Sequence, residues 1–246
     1  MKGRIPNWIK LIAHKVGKCY IAKSLLAPFY GRYKKNVMKT RQLDFQRYSL
    51  EVLAQFDRCC QENGYTYFLI FGTLLGAIRE HGFIAHDLDI DVAMFIEERS
   101  PLIYENLRKY GFKMIHRFRI EDGTLGCEET FLYKNTGVSL DIFYICPPVD
   151  KNPYCCCWNK IGDSVSPLDF MKKYGGVIPR RIELPIDKDI IRVKFENIEV
   201  NIPHNAHQIS EFTYGEKYMT PDPNYKAPKE HRVIWNEKIA IYEEFH

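Results

Sequence analysis

The sequence predicts an α+β fold: a mixed β-sheet flanked by helices, with a basic helical segment at the N-terminal end and an irregular insert later on. Three observations carry this reading. Between residues 43 and 145, apolar residues at helical spacing alternate with short apolar runs of strand length. A Gly-Thr pair follows the first apolar run, and an Asp-X-Asp-X-Asp run opens the second. Residues 1–43 hold eleven Lys or Arg and no acid, while the remainder carries 24 basic against 31 acidic residues. The overall charge of +4 therefore conceals a basic head on a mildly acidic body.

Within the head, Ile5, Trp8, Ile9, Ile12 and Val16 recur every three or four residues with lysines between them. A basic amphipathic helix of this kind is expected to lie on an anionic membrane surface, so residues 1–42 are read as a membrane-associating segment. Basic residues interleaved with aliphatics give no base-reading motif, and no nucleic-acid partner is expected. The next segment, Leu43 to Gln61, places Leu43, Tyr48, Leu50, Leu53, Phe56 and Cys60 on one stripe, and Asn63-Gly64 ends the helix.

A buried strand is expected at 65–71, a short helix at 73–80 and a second strand at 87–95. A helix at 100–110 follows, with Ser100 as its N-cap and Pro101 in its first turn. Strands are expected at 112–119, 127–134 and 138–145, the last two joined by the turn Asn135-Thr136-Gly137. Residues 147–179, dense in Pro, Cys, Asn and Gly, read as an irregular insert with one short helix at 167–174. A hairpin turning at Asn197 is expected over 190–202, and a helix over 204–212. Residues 226–246 are expected to close the chain as a helix, on the spacing of Val233, Ile234, Ile239 and Tyr242. The body, 43–225, is read as the catalytic domain.

The chemistry concentrates in two stretches. Asp87, Asp89 and Asp91 occupy alternate positions with Leu88, Ile90 and Val92 at or between them, so on a strand the carboxylates share one face. Such a row repels itself unless a cation neutralises it. Hard oxygen ligands suit Mg²⁺ or Mn²⁺, which also gather phosphates. Asp141 is a lone carboxylate in the aliphatic run Leu140-Asp141-Ile142-Phe143 and is costly to bury without a partner. A cation shared with Asp89 and Asp91 would supply one. Gly72 and Thr73, at a strand-to-helix junction, suit the approach of a phosphate to backbone N–H groups. Arg79, near the end of the short helix, is placed to pair with a phosphate. His86 adjoins the aspartates and reads chiefly as a packing residue.

Phe71-Gly72-Thr73-Leu74-Leu75-Gly76-Ala77-Ile78-Arg79, then Gly82-Phe83-Ile84 and Asp87-Leu88-Asp89-Ile90-Asp91-Val92, resemble the LicD and fukutin family of phosphotransferases. More broadly the pattern is similar to the nucleotidyltransferase fold of the polymerase-beta type. Leu140-Asp141-Ile142-Phe143, Val200-Asn201-Ile202-Pro203 and the stretch from Tyr214-Gly215 to Tyr218-Met219-Thr220-Pro221 resemble later signatures of the family. Ala85-His86 stands where the family often has Pro-Trp, and Leu88 where it often has an acidic or aromatic residue.

The resemblance implies transfer of a phospho-alcohol (phosphocholine, phosphoribitol or phosphoglycerol) from a CDP-activated donor to a sugar hydroxyl of a glycan or glycolipid, with release of CMP. It implies catalytic roles for Asp87, Asp89, Asp91 and Asp141, metal binding by Asp89, Asp91 and Asp141, and donor binding by Gly72, Thr73 and Arg79. The alternatives are a nucleotidyltransferase that moves the nucleotide itself, an Asp-X-Asp glycosyltransferase, and an inactive membrane-tethered binding module. A single helix and strand after the basic head is less nucleotide-binding sheet than glycosyltransferases usually place before that motif.

Eight cysteines include adjacent pairs and the run Cys155-Cys156-Cys157, which read as free thiols of a reducing compartment. Their spacing matches no common zinc motif. With no apolar run of spanning length and no cleavable signal pattern, the expected location is the cytoplasm, peripheral on the inner face of the cell membrane.

Overall fold

The structure, a computed structural model, describes residues 20–158, 166–222 and 232–245. The proposed lipid-facing stripe from Ile5 to Val16 lies outside them. Five α-helices and eleven strands are described: α1 (Tyr20–Asn63), β1 (Phe68–Leu69), α2 (Phe71–Arg79), β2 (Asp89–Phe95), α3 (Leu102–Lys109), β3 (Phe112–Ile120), β4 (Cys127–Tyr133), β5 (Ser139–Ile145), β6 (Tyr154–Trp158), α4 (Pro167–Tyr174), β7 (Pro179–Glu183), β8 (Ile190–Phe195), β9 (Ile198–Pro203), α5 (Ala206–Tyr214), β10 (Arg232–Ile234) and β11 (Ala240–Glu244). The main sheet has the order β1-β2-β5-β4-β3-β11. Only β2 and β5 run parallel; each other neighbouring pair is antiparallel, so the sheet is mixed, with helices packed against it.

The α1 helix runs 44 residues, straight through the junction at residue 42 between head and body. It stops where the stop signal lies. Gly64 takes φ 71°, and the Tyr65 amide donates to the Cys60 carbonyl at 2.9 Å. The later part of the stripe packs inward, with Leu53, Phe56 and Cys60 buried, while Leu43 at its start is exposed; Phe56, Cys60 and the adjoining Cys59 meet Met94 of β2, Ile142 of β5, and Ile103 and Leu107 of α3 around a small apolar gap. The strand alternation then forces Asp89, Asp91 and Asp141 to the opposite face.

The C-terminal segment departs from expectation. Residues expected to be helical form two strands: β10 pairs with β7, and β11 closes the main sheet beside β3. The residues Val233, Ile234, Ile241 and Tyr242 are strand formers, and a turn at Asn236-Glu237 separates the two runs. Free edges on β7 and β3 satisfy their backbone groups, an arrangement local spacing does not reveal. The segment read as an irregular insert likewise contributes a strand, β6, to a three-stranded sheet ordered β10-β7-β6. Helix α4 lies where expected, with the Ser166 hydroxyl accepting from the Asp169 amide and Gly175 in the left-handed region beyond its end. Helix α2 begins at Phe71, two residues early, and β1 is correspondingly short.

β6 also disposes of the cysteine run. Along a strand, Cys156 faces away from Cys155 and Cys157, so the three thiols cannot converge. Cys155 and Cys156 are buried, and burial pushes every described thiol up, Cys157 to about 12.

Candidate active site

The site is a corner where β2, β5 and β4 meet the start of α2. Parallel pairing sets Asp91 directly beside Asp141, and Asp89 beside Ser139. Antiparallel pairing sets Thr130 beside Asp141 on the other side. Two residues along β4, on the same face as Thr130, stands Glu128. Asp87 precedes the strand in the loop that follows α2. All five carboxylates are half-buried.

Helix α2 is bound into this corner. The Thr73 hydroxyl, almost wholly buried, accepts a hydrogen bond from the Asp91 amide at 2.9 Å. The Ile70 amide donates to the Asp91 carbonyl at 3.2 Å. Phe71 opens the helix at φ 48°, a strained conformation for an aromatic residue, and its ring meets that of Phe143 edge-on at 5.0 Å. A Cβ placed on Gly72 would lie 3.6 Å from the Asp87 carboxylate, so this glycine gives open access beside that group. A Cβ on Gly76 would come within 2.4 Å of the Gly82 carbonyl; glycine there lets the returning loop pass close and carry Asp87 to the site.

The electrostatics are those of crowded acids. Burial is the largest cause for each and disfavours the charged form. It raises Asp87 and Asp141 to about 6, Glu128 to about 8, and Asp89 by a smaller margin. Asp91 is pushed well above the usual range by burial and then by the charges of Asp89, Asp141, Asp87 and Glu128. The Thr130 hydroxyl draws Asp141 down, although its oxygen completes no hydrogen bond of normal geometry. One oxygen each of Asp87, Asp141 and Glu128 is sealed from solvent without a hydrogen-bond partner.

Among the described residues, no three His, Cys, Asp or Glu side chains already converge as a ready ligand set. The chemistry of the corner nevertheless fits a hard divalent cation: carboxylates gathered on adjacent strands, one oxygen each of Asp87, Asp141 and Glu128 without a partner, and Asp91 crowded by the charges of the other four. Asp89, Asp91 and Asp141 are the residues that would hold it.

Two further residues belong to the corner. Glu128 is a half-buried acid in an apolar strand, the same signal that marks Asp141, but its neighbour Glu129 obscures which of the two faces the site. Arg41 reaches from α1, donating to the Leu88 carbonyl at 3.4 Å. Arg79, in contrast, is turned toward Glu80, at 3.4 Å, and no described contact joins it to the aspartates. His86 is exposed beside Asp87 and draws its carboxyl down.

A mixed sheet with paired acids on its two parallel central strands, joined to a Gly-Thr helix start, defines a nucleotidyltransferase-type domain. The family model described as the LicD/FKTN/FKRP nucleotidyltransferase domain matches residues 64–205, and the chain belongs to that family. The match takes in Gly72, Thr73, Arg79 and all five site carboxylates. Two relatives are similar to this chain. One is the uncharacterized protein T07A5.1 of Caenorhabditis elegans, 30% identical over 149 residues, 59% of this chain and 38% of that protein. The other is the ribitol-5-phosphate transferase FKTN of Mus musculus, 26% identical over 178 residues, 72% of this chain and 34% of that protein. The chain thus spans little more than a third of the length of either relative.

Proposed function

We propose that this protein is a divalent-cation-dependent phosphotransferase that moves a phospho-alcohol from a CDP-activated donor to a sugar hydroxyl of a glycan or glycolipid, releasing CMP. The observation that carries the proposal is the pairing of Asp91 with Asp141 on parallel strands, flanked by Asp89, Asp87 and Glu128. Such a concentration of carboxylates, three of them with an oxygen that nothing satisfies, serves no packing purpose and is expensive without a cation. Family membership and the named activity of the mouse relative support the phospho-alcohol class.

In this reading Asp89, Asp91 and Asp141 hold Mg²⁺ or Mn²⁺. The ion, when bound, neutralises charge on the transferred phosphoryl group and the departing CMP. Gly72 and the N-terminal end of α2 receive the donor phosphates, and Thr73 fixes that end to β2. Asp87 takes the proton of the acceptor hydroxyl as its oxygen bonds to the phosphorus and the bond to CMP breaks. A carboxyl held at about 6 suits that role near neutral pH. No helix among the described residues is long and apolar enough to cross a membrane. A membrane-bound acceptor would account for the basic head, and we place the protein on the cytoplasmic face of the membrane on that ground.

The test is a donor panel. Protein with Mg²⁺ or Mn²⁺ is incubated with CDP-choline, CDP-ribitol, CDP-glycerol, CTP and UDP-sugars, with and without membrane glycolipids. CMP released from one CDP-alcohol, with the phospho-alcohol recovered on the acceptor, is the expected result. Pyrophosphate from CTP would instead indicate nucleotidyl transfer, the second reading the same site supports. UDP release, or no turnover of any donor, would overturn the proposal.

A further inference from the structure

On the helix-covered side of the sheet, away from the carboxylates, a groove of about 530 Å³ opens between α1, the C-terminal end of α3 and the turn after β4. Four of its lining side chains are cationic: Arg58 of α1, Arg108 and Lys109 of α3, and Lys134; no carboxylate lines it. Two of the four have acids beyond the wall. Arg58 pairs with Glu62 at 2.7 Å and Lys134 with Glu51 at 3.3 Å. The other two have none. The Lys109 ammonium donates to the Asn106 side chain at 3.2 Å, and the exposed Arg108 side chain has no hydrogen-bond or ion-pair partner among the described residues. Gly111 floors the groove. It takes φ 94°, and a Cβ there would lie 3.1 Å from the Lys134 side chain and 3.2 Å from the Tyr133 ring, so glycine keeps the floor open. The Lys134 amide donates to the Gly111 carbonyl at 2.8 Å, which fixes the turn to the end of the helix.

We infer that this groove is a second binding site, for an anionic saccharide: a short sugar chain bearing sulfate, phosphate or carboxylate groups. Its volume suits a ligand of that size. Four gathered cations with only two acids behind them repel one another until an outside anion answers them, and the planar guanidinium of Arg108 can grip such a group through two N–H donors. The Gln55 amide on the same wall both donates and accepts, as sugar hydroxyls require. The lining disfavours other partners. No aliphatic side chain is on it to anchor a protein. The Tyr110 and Tyr133 hydroxyls are engaged by Glu62 and Glu51, and the Lys134 ammonium lies over the Tyr133 ring at 4.4 Å, so that ring offers no face to a nucleic-acid base. The groove stands apart from the acidic corner and does not depend on the reaction proposed there.

Because the basic head also attracts polyanions, the test reads the groove itself. Acetylation of each lysine on the full chain is followed by mass spectrometry, with a heparin-derived tetrasaccharide, neutral maltotetraose or a hexaglutamate peptide present. The sulfated tetrasaccharide is expected to slow acetylation of Lys109 and Lys134 about 5-fold and to leave Lys172 and Lys173, exposed on α4, unchanged. In Arg108→Glu the tetrasaccharide concentration needed for that protection rises about 10-fold or more. The same charge change in the head, Arg32→Glu, leaves it as in wild type, and about 0.5 M NaCl abolishes it. No protection of Lys109 and Lys134, equal protection by maltotetraose, or protection undiminished in Arg108→Glu would overturn the inference. Stronger protection by hexaglutamate than by the tetrasaccharide would overturn it in favour of an acidic protein segment. None of these results bears on the phosphotransferase reading, which the donor panel decides.

Discussion

Asp91→Asn is expected to lower turnover about 1000-fold or more and, in the same protein, to raise the melting temperature of the metal-free form by roughly 3–6 °C. The two effects share one cause. Asp91 stands among Asp89, Asp141, Asp87 and Glu128, and burial plus their charges push its carboxyl far from the range in which it ionises freely. Asparagine keeps the shape and is neutral without taking up a proton, so the metal-free fold no longer bears the cost of holding a buried acid among its neighbours. It also removes an anionic ligand from the place where phosphoryl charge must be balanced. Asp141→Asn, its direct cross-strand neighbour, is expected to behave alike. Asp122→Asn, fully exposed in a turn, should change neither property measurably. Melting followed by circular dichroism and CMP release from the preferred donor measure the two sides. Equal turnover in Asp91→Asn and wild type would remove Asp91 from the mechanism. Such a trade of stability for activity is what a preorganised charged site implies.

The second large effect separates two adjacent glutamates. Glu129→Ala is expected to destabilise the protein by about 3–5 kcal/mol, on the order of 10 °C in melting temperature, whereas Glu128→Gln should stabilise the metal-free form. Glu129 is 1% exposed and faces the helix-covered side of β4. It accepts hydrogen bonds from the Tyr104 hydroxyl at 2.7 Å and the Tyr144 hydroxyl at 3.0 Å, and the Arg99 guanidinium lies 3.8 Å away. Truncation leaves two buried hydroxyls and a mostly buried cation without their anion, the costliest kind of core change. Glu128 points the other way, with an oxygen that nothing satisfies, and burial followed by the Asp141 charge raises it to about 8. Removing its charge removes a liability. Equilibrium denaturation of both variants decides the matter; a stabilised Glu129→Ala or a strongly destabilised metal-free Glu128→Gln would reverse the assignment of faces.

Much of the site was legible from local spacing. Alternate aspartates in an apolar strand had to share a face, which holds for Asp89 and Asp91, whereas the strand expected from residue 87 begins at Asp89 and leaves Asp87 in the loop before it; a single aspartate in Leu140-Asp141-Ile142-Phe143 had to find a partner. The parallel register that sets Asp141 beside Asp91 supplies that partner's position. Glu128 carried the same signal, but two consecutive glutamates on a strand give no local clue to which one faces inward. Arg41 was hidden for another reason. Its contact spans 47 residues, and the basic run around it reads as head rather than site. Likewise Arg79 drew attention by sequence proximity to Gly72 and Thr73, while its side chain turns to Glu80. The C-terminal strands were missed because the edges that receive them, on β7 and β3, are made by distant parts of the chain.

The central claim is that the acidic corner is built for a divalent cation, and the most direct measurement is the melting temperature of EDTA-treated protein between pH 5 and 8.5, with and without Mn²⁺. The sign follows from the raised carboxyls. Asp87 and Asp141 at about 6 and Glu128 at about 8 are above their unfolded values, so the stability they confer is complete when protonated and is lost as pH rises through these values. Acids held low by surface partners, such as Glu243 beside Arg119 and Arg117, are already ionised across this window and contribute no slope. The account predicts a melting temperature that falls by roughly 5 °C from pH 5 to 8.5 without metal, that Mn²⁺ restores at pH 8.5, and that Asp91→Asn flattens. A flat profile in the metal-free protein, with no response to Mn²⁺ or Mg²⁺ at pH 8.5, would contradict it.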